Sequence, residues 1–526
     1  MSGAVSPPAL PRAAPSSDGR RMFAFLCMVV GMFMAILDIQ IVSASLAEIQ
    51  AGLAASSDEI SWVQTSYLIA EVVMIPLSGF LSRAFSTRWL FVGSAAGFTF
   101  MSFMCATATS IEQMIVYRAL QGFLGGGMIP TVFAAAYSVF PREKQPIIAP
   151  MIGLVATLAP TIGPTIGGYL TDLFSWHWLF LVNIVPGIFV VIATATLVDF
   201  DEPDFSLLGR FDWWGLLFMA GFLGSLEFVL EEGPTNDWFE DHLIVIFTIV
   251  CAVSSVAFFA RVLMASEPVV DLRAFVNRNF AAGSALSFVL GIGLYGLTYL
   301  YPLYLGRVRG YSALMIGETM FVTGVSMFLA APIVGRLTTK VDPRILIGIG
   351  FAGFALGTWQ VTYITKDWDF WELLVPQILR GTSMMLAMVP INNLSLGTLP
   401  VAQLKNASGL FNLTRNLGGA VGLALINTVL NNRWDLHLAR LHEQVQWKSA
   451  AALEQLSNMA GAFAALGSDA QTAALKQMAS LVRREALVMA FADVFVLLTF
   501  LFLALVLAAP LMRRPSHAPP PGSGGH

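Results

Sequence analysis

Four ionisable side chains lie well inside long apolar runs of this chain: Asp38, Glu71, Arg118 and Glu227. A lone charge at the centre of a bilayer costs at least about 2.5–3.5 kcal/mol, so such residues usually face a cavity or a partner. Desolvation favours the neutral form of a carboxyl such as Asp38, which could then take up and release a proton near neutral pH. Arg118, three residues before Gln121, is a permanent cation. Near a protonatable acid it favours the ionised form, and the proton leaves or returns as the geometry changes. The plain alternative for Asp38 and Arg118 is a hydrogen bond or salt bridge that only holds helices together. Glu71 is a second proton site, an anchor for a cationic substrate, or an acid paired with a polar neighbour. Glu227 either lines a crevice or meets water near the end of its run. Glu318 and Asp493 lie near run ends and read as interfacial. Arg380 and Arg415 carry cations into the second half of the chain, where they could balance the acids or hold an anionic group of a substrate.

A second kind of signal is conformational. Pro160-Thr-Ile-Gly163-Pro164-Thr-Ile-Gly167-Gly168 lies within an apolar run. In a water-exposed helix each Gly would cost about 1 kcal/mol and each interior Pro about 3 kcal/mol. Inside a membrane, neighbouring helices can satisfy the freed backbone groups, and small residues allow close approach. The stretch is a kinked packing helix or a hinge between moving parts.

These residues need a membrane scaffold to position them, and composition supplies one. The 526 residues are 56% hydrophobic and 12% charged, where a soluble domain carries about 25% charged residues. The charges are bunched, leaving apolar runs of about 20 residues, as in a polytopic all-α membrane protein. The weak ten-residue alternation of a β-barrel is absent. The net charge of −4 includes no basic tract for nucleic acid. Cys27, Cys105 and Cys251 lie in apolar runs, too few for a disulfide framework and without metal-ligand spacing. Neither a phosphate loop nor a nucleophile constellation supports an enzyme, and no cofactor is expected.

Fourteen spans are expected: 22–46, 60–81, 89–108, 111–137, 146–170, 176–198, 211–231, 242–263, 280–305, 312–335, 344–364, 370–398, 406–430 and 486–511. Residues 1–21 and 512–526 read as disordered tails. The polar segment 431–485, rich in Ala, Gln, Glu and Leu, reads as amphipathic helices outside the membrane, a passive surface or a docking surface. With the N-terminus inside, cytoplasmic segments hold seventeen of the 29 Lys and Arg residues, which favours both termini in the cytoplasm.

The chain also echoes itself. Pro76-Leu-Ser-Gly79 with Arg88 answers Pro332-Ile-Val-Gly335 with Arg344. Arg118-Ala-Leu-Gln121-Gly122 answers Gln377-Ile-Leu-Arg380-Gly381. Both echoes are offset by eight spans. Two six-span bundles, 22–198 and 280–511, separated by two inserted helices at 211–263, would give that offset, and such repeats build transporters that rock around a midplane site.

Six segments taken in order resemble the fourteen-span, EmrB-like branch of the drug:proton antiporters of the major facilitator superfamily. They are Leu37-Asp38-Ile-Gln-Ile-Val42, Tyr117-Arg118-Ala-Leu-Gln121-Gly122, Gly163-Pro164 with Gly167-Gly168, Trp176-His-Trp178-Leu-Phe-Leu-Val-Asn183, Pro268–Phe280 and Asn412-Leu-Thr-Arg415-Asn-Leu-Gly418-Gly419. The resemblance covers about 22–511. The chain departs from the superfamily pattern after the second span, where the Asp and second Gly are missing from Gly79-Phe-Leu-Ser-Arg83-Ala-Phe-Ser86-Thr-Arg88. The usual inner-gate charge pairing is therefore not expected. His177 replaces a usual Arg, and Ser43-Ala-Ser-Leu-Ala47 replaces the usual sequence after the Leu-Asp motif.

The resemblance implies a major facilitator fold and proton coupling through Asp38 and Arg118, with Glu71 a further candidate. It implies export of small amphipathic toxic compounds across a bacterial inner membrane, driven by the proton gradient. It also implies a periplasmic membrane-fusion adaptor, for which 431–485 is the candidate contact, and an outer-membrane channel. Glu227, Gln121, Arg380, Arg415 and Asn412 are the candidates for a substrate cavity. Pro160, Gly163, Pro164, Gly167 and Gly168 are the conformational motif. A dedicated exporter of one metabolite or organic acid, motivated by Arg118, Arg380 and Arg415, and a non-transporting sensor are the rival readings.

Overall fold

In hydrocarbon, a backbone can satisfy its polar groups within one segment only as a helix, and the long apolar runs of this chain are helical. A computed structural model describes residues 18–265, 268–444, 450–463 and 469–508. Among them there is no strand. The helices are α1 (Asp18–Ala44), α2 (Leu46–Leu53), α3 (Ser57–Ala84), α4 (Ser86–Ala106), α5 (Ile111–Gly125), α6 (Met128–Val139), α7 (Gln145–Leu173), α8 (Trp178–Leu181), α9 (Ile184–Leu197), α10 (Trp213–Glu232), α11 (His242–Met264), α12 (Arg278–Arg307), α13 (Ala313–Leu337), α14 (Pro343–Val361), α15 (Phe370–Leu396), α16 (Val401–Gln444), α17 (Ala450–Ala462) and α18 (Ala470–Ala508). Residues 18–21, placed in a tail by sequence, form the first turn of α1. Residues 1–17 and 509–526, and with them the rest of both expected tails, lie outside the described residues.

Thirteen helical stretches among the described residues are long and apolar enough to cross a membrane. The expected span 406–430 is missing from that count. It lies in α16, whose Asn406, Asn412, Arg415, Asn416 and Asn427 make it too polar to qualify by composition. The segment 431–485, expected to form helices outside the membrane, is helical at 431–444, 450–462 and 470–485; the first and last of these continue α16 and α18, and α17 packs on α18 through Leu456, Met459 and Ala474.

Helix starts are marked in the sequence. Ser56 with Glu59, and Asp369 with Glu372, form reciprocal capping boxes at α3 and α15. Ser110, Asp212, Asp241 and Ser312 cap α5, α10, α11 and α13. Each cap satisfies an amide that the first helical turn leaves without a partner, worth about 1 kcal/mol.

The end of the bundle that carries Asp18 is called basal and the opposite end distal. The repeat seen in the sequence is a repeat of contacts. Gly122 of α5 lies against the Tyr67 carbonyl of α3, and Gly381 of α15 lies against the Thr323 carbonyl of α13. Arg118 donates to the Val63 carbonyl at 3.2 Å, and its counterpart Gln377 donates to the Thr319 carbonyl at 2.9 Å. Each acceptor stands four residues before the carbonyl under the glycine. The two bundles meet where α7 packs on α13 and where α3 and α6 pack on α16. Of the inserted pair, α10 touches both α3 and α16, whereas α11 packs on α10 and only 11% of its apolar window is buried.

Candidate functional site

Asp38 and Arg118 are both completely buried, and Arg118 Nη1 donates to Asp38 Oδ2 at 2.6 Å. They sit on α1 and α5 and are surrounded by neutral polar side chains. Asn183, at the start of α9, donates to Asp38 Oδ1 at 2.7 Å. Gln121 accepts from Arg118 at 2.8 Å, donates to Ser102 Oγ at 2.7 Å, and lies 3.3 Å from Asp38 Oδ1. Arg118 Nη2 has no hydrogen-bond partner among the described residues, but the guanidinium stacks 4.2 Å from the centre of the Tyr67 ring. A desolvated cation on an aromatic face gains about 2 kcal/mol. Removing one member of a buried ion pair typically costs about 3–5 kcal/mol, because the other charge is left uncompensated.

This arrangement can switch. Protonation of Asp38 would remove its ion pair, while Arg118 keeps Gln121, Val63 and the Tyr67 ring. The contact between α1 and α5 would then weaken without stranding the guanidinium.

The residues next to Asp38 on α1 face the other way. Ile39, Gln40 and Ser43 line a cavity of about 420 Å³ in the distal half of the interface between bundles. That volume suits a small organic molecule. Glu71 on α3 and Glu227 and Glu231 on α10 line the same cavity, as do Tyr295 and Tyr299 on α12 and Asn416 and Asn427 on α16. Glu71 is 2% exposed and Glu227 6% exposed, and neither carboxyl has a hydrogen-bond partner among the described residues. Among the described residues no Lys, Arg or His lines the cavity, and the charged residues that do are all acidic.

Of the other expected cavity residues, Gln121, Arg380, Arg415 and Asn412 do not line it. Gln121 belongs to the Asp38 network. Arg380 donates to Thr298 of α12, much as its counterpart Gln121 donates to Asp38 of α1, so the second bundle carries a hydroxyl where the first carries the carboxylate. Arg415 bonds Ser287 and Asn392 and stacks on Phe133 and Phe411. Asn412 is buried and donates to the Ser408 carbonyl within its own helix.

The helix holding Pro160, Gly163, Pro164, Gly167 and Gly168 runs unbroken from Gln145 to Leu173. Its Gly163 and Gly167 face Gln40 and Ile41 of α1 and Ser45 just beyond it, in the same bundle. The opposite flank, with Leu158, Thr161 and Thr165, meets Gly317 and Gly324 of α13 across the interface, and Pro164 lines the cavity.

At the basal end the bundles close on one another. Lys405, near the start of α16, donates to the Asp201 carboxylate, which follows α9, and to the Ser82 carbonyl. Asp201 also accepts from the Thr87 amide. Tyr137 donates to Asn393 at 3.0 Å nearby. The Lys405–Asp201 pair supplies a charge bridge at the place where the loop after the second span lacks its Asp. Its members are 204 residues apart, one in a loop and one in the first turns of a helix, and nothing in the sequence marked them as a pair. Asn183 stood inside a quoted motif without drawing notice because a neutral amide is a far weaker signal than a charge.

The sequence matches the Major Facilitator Superfamily over residues 28–423. It is 40% identical over 492 residues to the Colistin resistance protein EmrB of Acinetobacter baumannii, covering 93% of this chain and 96% of that protein. It is 28% identical over 513 residues to the Multidrug export protein EmrB of Escherichia coli strain K12, covering 97% and 99%. Its fold is similar to that of the human organic anion transporter MFSD10, with a TM-score of 0.56 at 12% identity, covering 92% of this chain and 99% of that one. At that identity the likeness is one of fold alone.

Proposed function

The chain belongs to the major facilitator superfamily, and from that premise we propose that it is a proton-coupled efflux permease for amphipathic toxic compounds. The observation that carries the reading is the placement of Asp38. Its carboxylate is tied to Arg118 on one side of α1, while the other side of the same turns lines a cavity with the unpaired Glu71 and Glu227. A proton arriving from the distal side neutralises these acids, releases a bound substrate to that side and loosens α1. One proton moving down 100 mV is worth about 2.3 kcal/mol, enough for about a 50-fold concentration ratio of a neutral compound.

The acidic lining favours substrates that carry positive charge on an apolar body. An organic-acid exporter would place a cation in the cavity, and none of Arg118, Arg380 and Arg415 is there. Names given to the relatives, for colistin resistance and multidrug export, support a resistance role. The excess of Lys and Arg at basal loops supports a cytoplasmic basal end with both termini, in a bacterial inner membrane. On this reading α16 also crosses, as the fourteenth span, and a periplasmic adaptor meets the distal extensions of α16 and α18 and leads to an outer-membrane channel.

The test uses everted membrane vesicles energised by respiration. A fluorescent lipophilic cation should accumulate and leave again when a protonophore is added. Accumulation that persists with the proton gradient collapsed overturns antiport.

A further inference from the structure

A second cleft lies at the distal end, away from the cavity between the bundles. It encloses about 700 Å³ where the end of α12 meets α16 and α18. Arg307, Lys476, Arg483 and Arg484 surround it, and Trp434 and Leu487 give it apolar surface. None of the four cations is paired with a carboxylate among the described residues, and Arg484 Nε is buried without a hydrogen-bond partner. Neighbouring charges do find partners: Arg309 bridges to Asp367, while Arg433 and His437 share Asp493.

The level of the cleft identifies its ligand. Arg307 closes the apolar run of α12, and Leu487 lies where α18 becomes buried among its neighbours. Trp434 donates its indole N–H to the Arg483 carbonyl, a ring at the height where aromatic residues mark the membrane–water boundary. Four cations with no carboxylate bonded to them among the described residues meet, at that height, the plane of lipid phosphates. Basic pockets between transmembrane helices hold anionic headgroups, and guanidinium groups bind a phosphate by paired hydrogen bonds.

We infer that this cleft binds the phosphate headgroup of an anionic phospholipid in the distal leaflet. The bound phosphate offsets part of this positive charge and ties the extensions of α16 and α18 to the end of α12. A soluble phosphate offers the same chemistry without the membrane anchor, and the apolar floor favours the lipid.

The test places the full chain in nanodiscs of phosphatidylcholine containing a small fraction of phosphatidylglycerol. Native mass spectrometry counts the phosphatidylglycerol retained. The double variant R307Q/R483Q should retain it about 25-fold more weakly, at about fivefold per cation removed. Its melting temperature in pure phosphatidylcholine should match the parent, which separates lost binding from lost folding. Equal retention by parent and variant overturns the site. Inorganic phosphate that stabilises the parent as much as phosphatidylglycerol does overturns the lipid assignment.

Discussion

Lys405 of the second bundle reaches across the basal end to the Asp201 carboxylate of the first, and the same ammonium holds the Ser82 carbonyl. The pair is partly exposed, so it is worth up to about 1 kcal/mol. It should therefore bias the equilibrium between basal-closed and basal-open states by up to about fivefold rather than lock it. Lys405→Met should raise the basal-open population by that factor, read by spin-label distances between the basal ends of the bundles. The swap K405D/D201K should restore closure. A swap that behaves like the single variant would show that the contact is incidental.

Asp38→Asn keeps a hydrogen-bond acceptor for Arg118 but cannot be ionised. Arg118 then loses its counterion but keeps an acceptor, so the protein should insert, melt below the parent, bind substrate and fail to accumulate it under a proton gradient. Asp38→Ala should lower stability further, by about 3–5 kcal/mol in all, because Arg118 then loses the acceptor as well as its counterion. Vesicle uptake and thermal melting together separate the two effects. Proton-driven accumulation by Asp38→Asn equal to the parent would remove Asp38 from coupling.

Glu71→Gln and Glu227→Gln should each weaken binding of lipophilic cations while sparing neutral compounds of similar size. A hydrogen bond to a charged group is worth about 1.5–3 kcal/mol, which corresponds to about a 10- to 150-fold loss of affinity. Binding measured across a matched set of cationic and neutral dyes checks this, and equal losses for both classes would mean the acids shape the cavity rather than select charge.

Two glycines of α7 should respond oppositely to alanine. A Cβ on Gly163 would stand 2.5 Å from the Cβ of Gln40, whereas one on Gly153 would find nothing nearer than 3.6 Å. Overpacking of that kind costs about 1–3 kcal/mol. Gly163→Ala should lower the melting temperature and slow transport, and Gly153→Ala should do neither. Similar melting curves for both variants would show that α1 and α7 can separate at little cost.

The internal repeat could be read in the chain because glycines recur wherever a helix must lie on another's backbone. Gly122 and Gly381 do so at equivalent carbonyls. The polar residues of α16 are also present in its sequence, and Asn412 stood among the cavity candidates, but sequence does not say which asparagine meets a partner. In the fold, Asn416 and Asn427 accept hydrogen bonds from Tyr295 and Tyr299 of α12.

Sequence alone determined that this is a helical, multi-pass membrane protein, and it marked Asp38, Glu71, Arg118 and Glu227 as residues with work to do. Both follow from one local quantity, the cost of placing a side chain in hydrocarbon, which each residue carries with it along the chain. The tertiary structure decided which marked residues meet. Asp38 met Arg118, Glu71 and Glu227 met open space, and Arg380 and Arg415 met hydroxyls, amides and rings away from the cavity. Neighbourhood depends on how each helix is rotated about its axis against partners up to hundreds of residues distant. A turn of about 100° per residue carries Asp38 into the network and Gln40 into the cavity, and packing between helices, rather than the composition of any one of them, sets that angle.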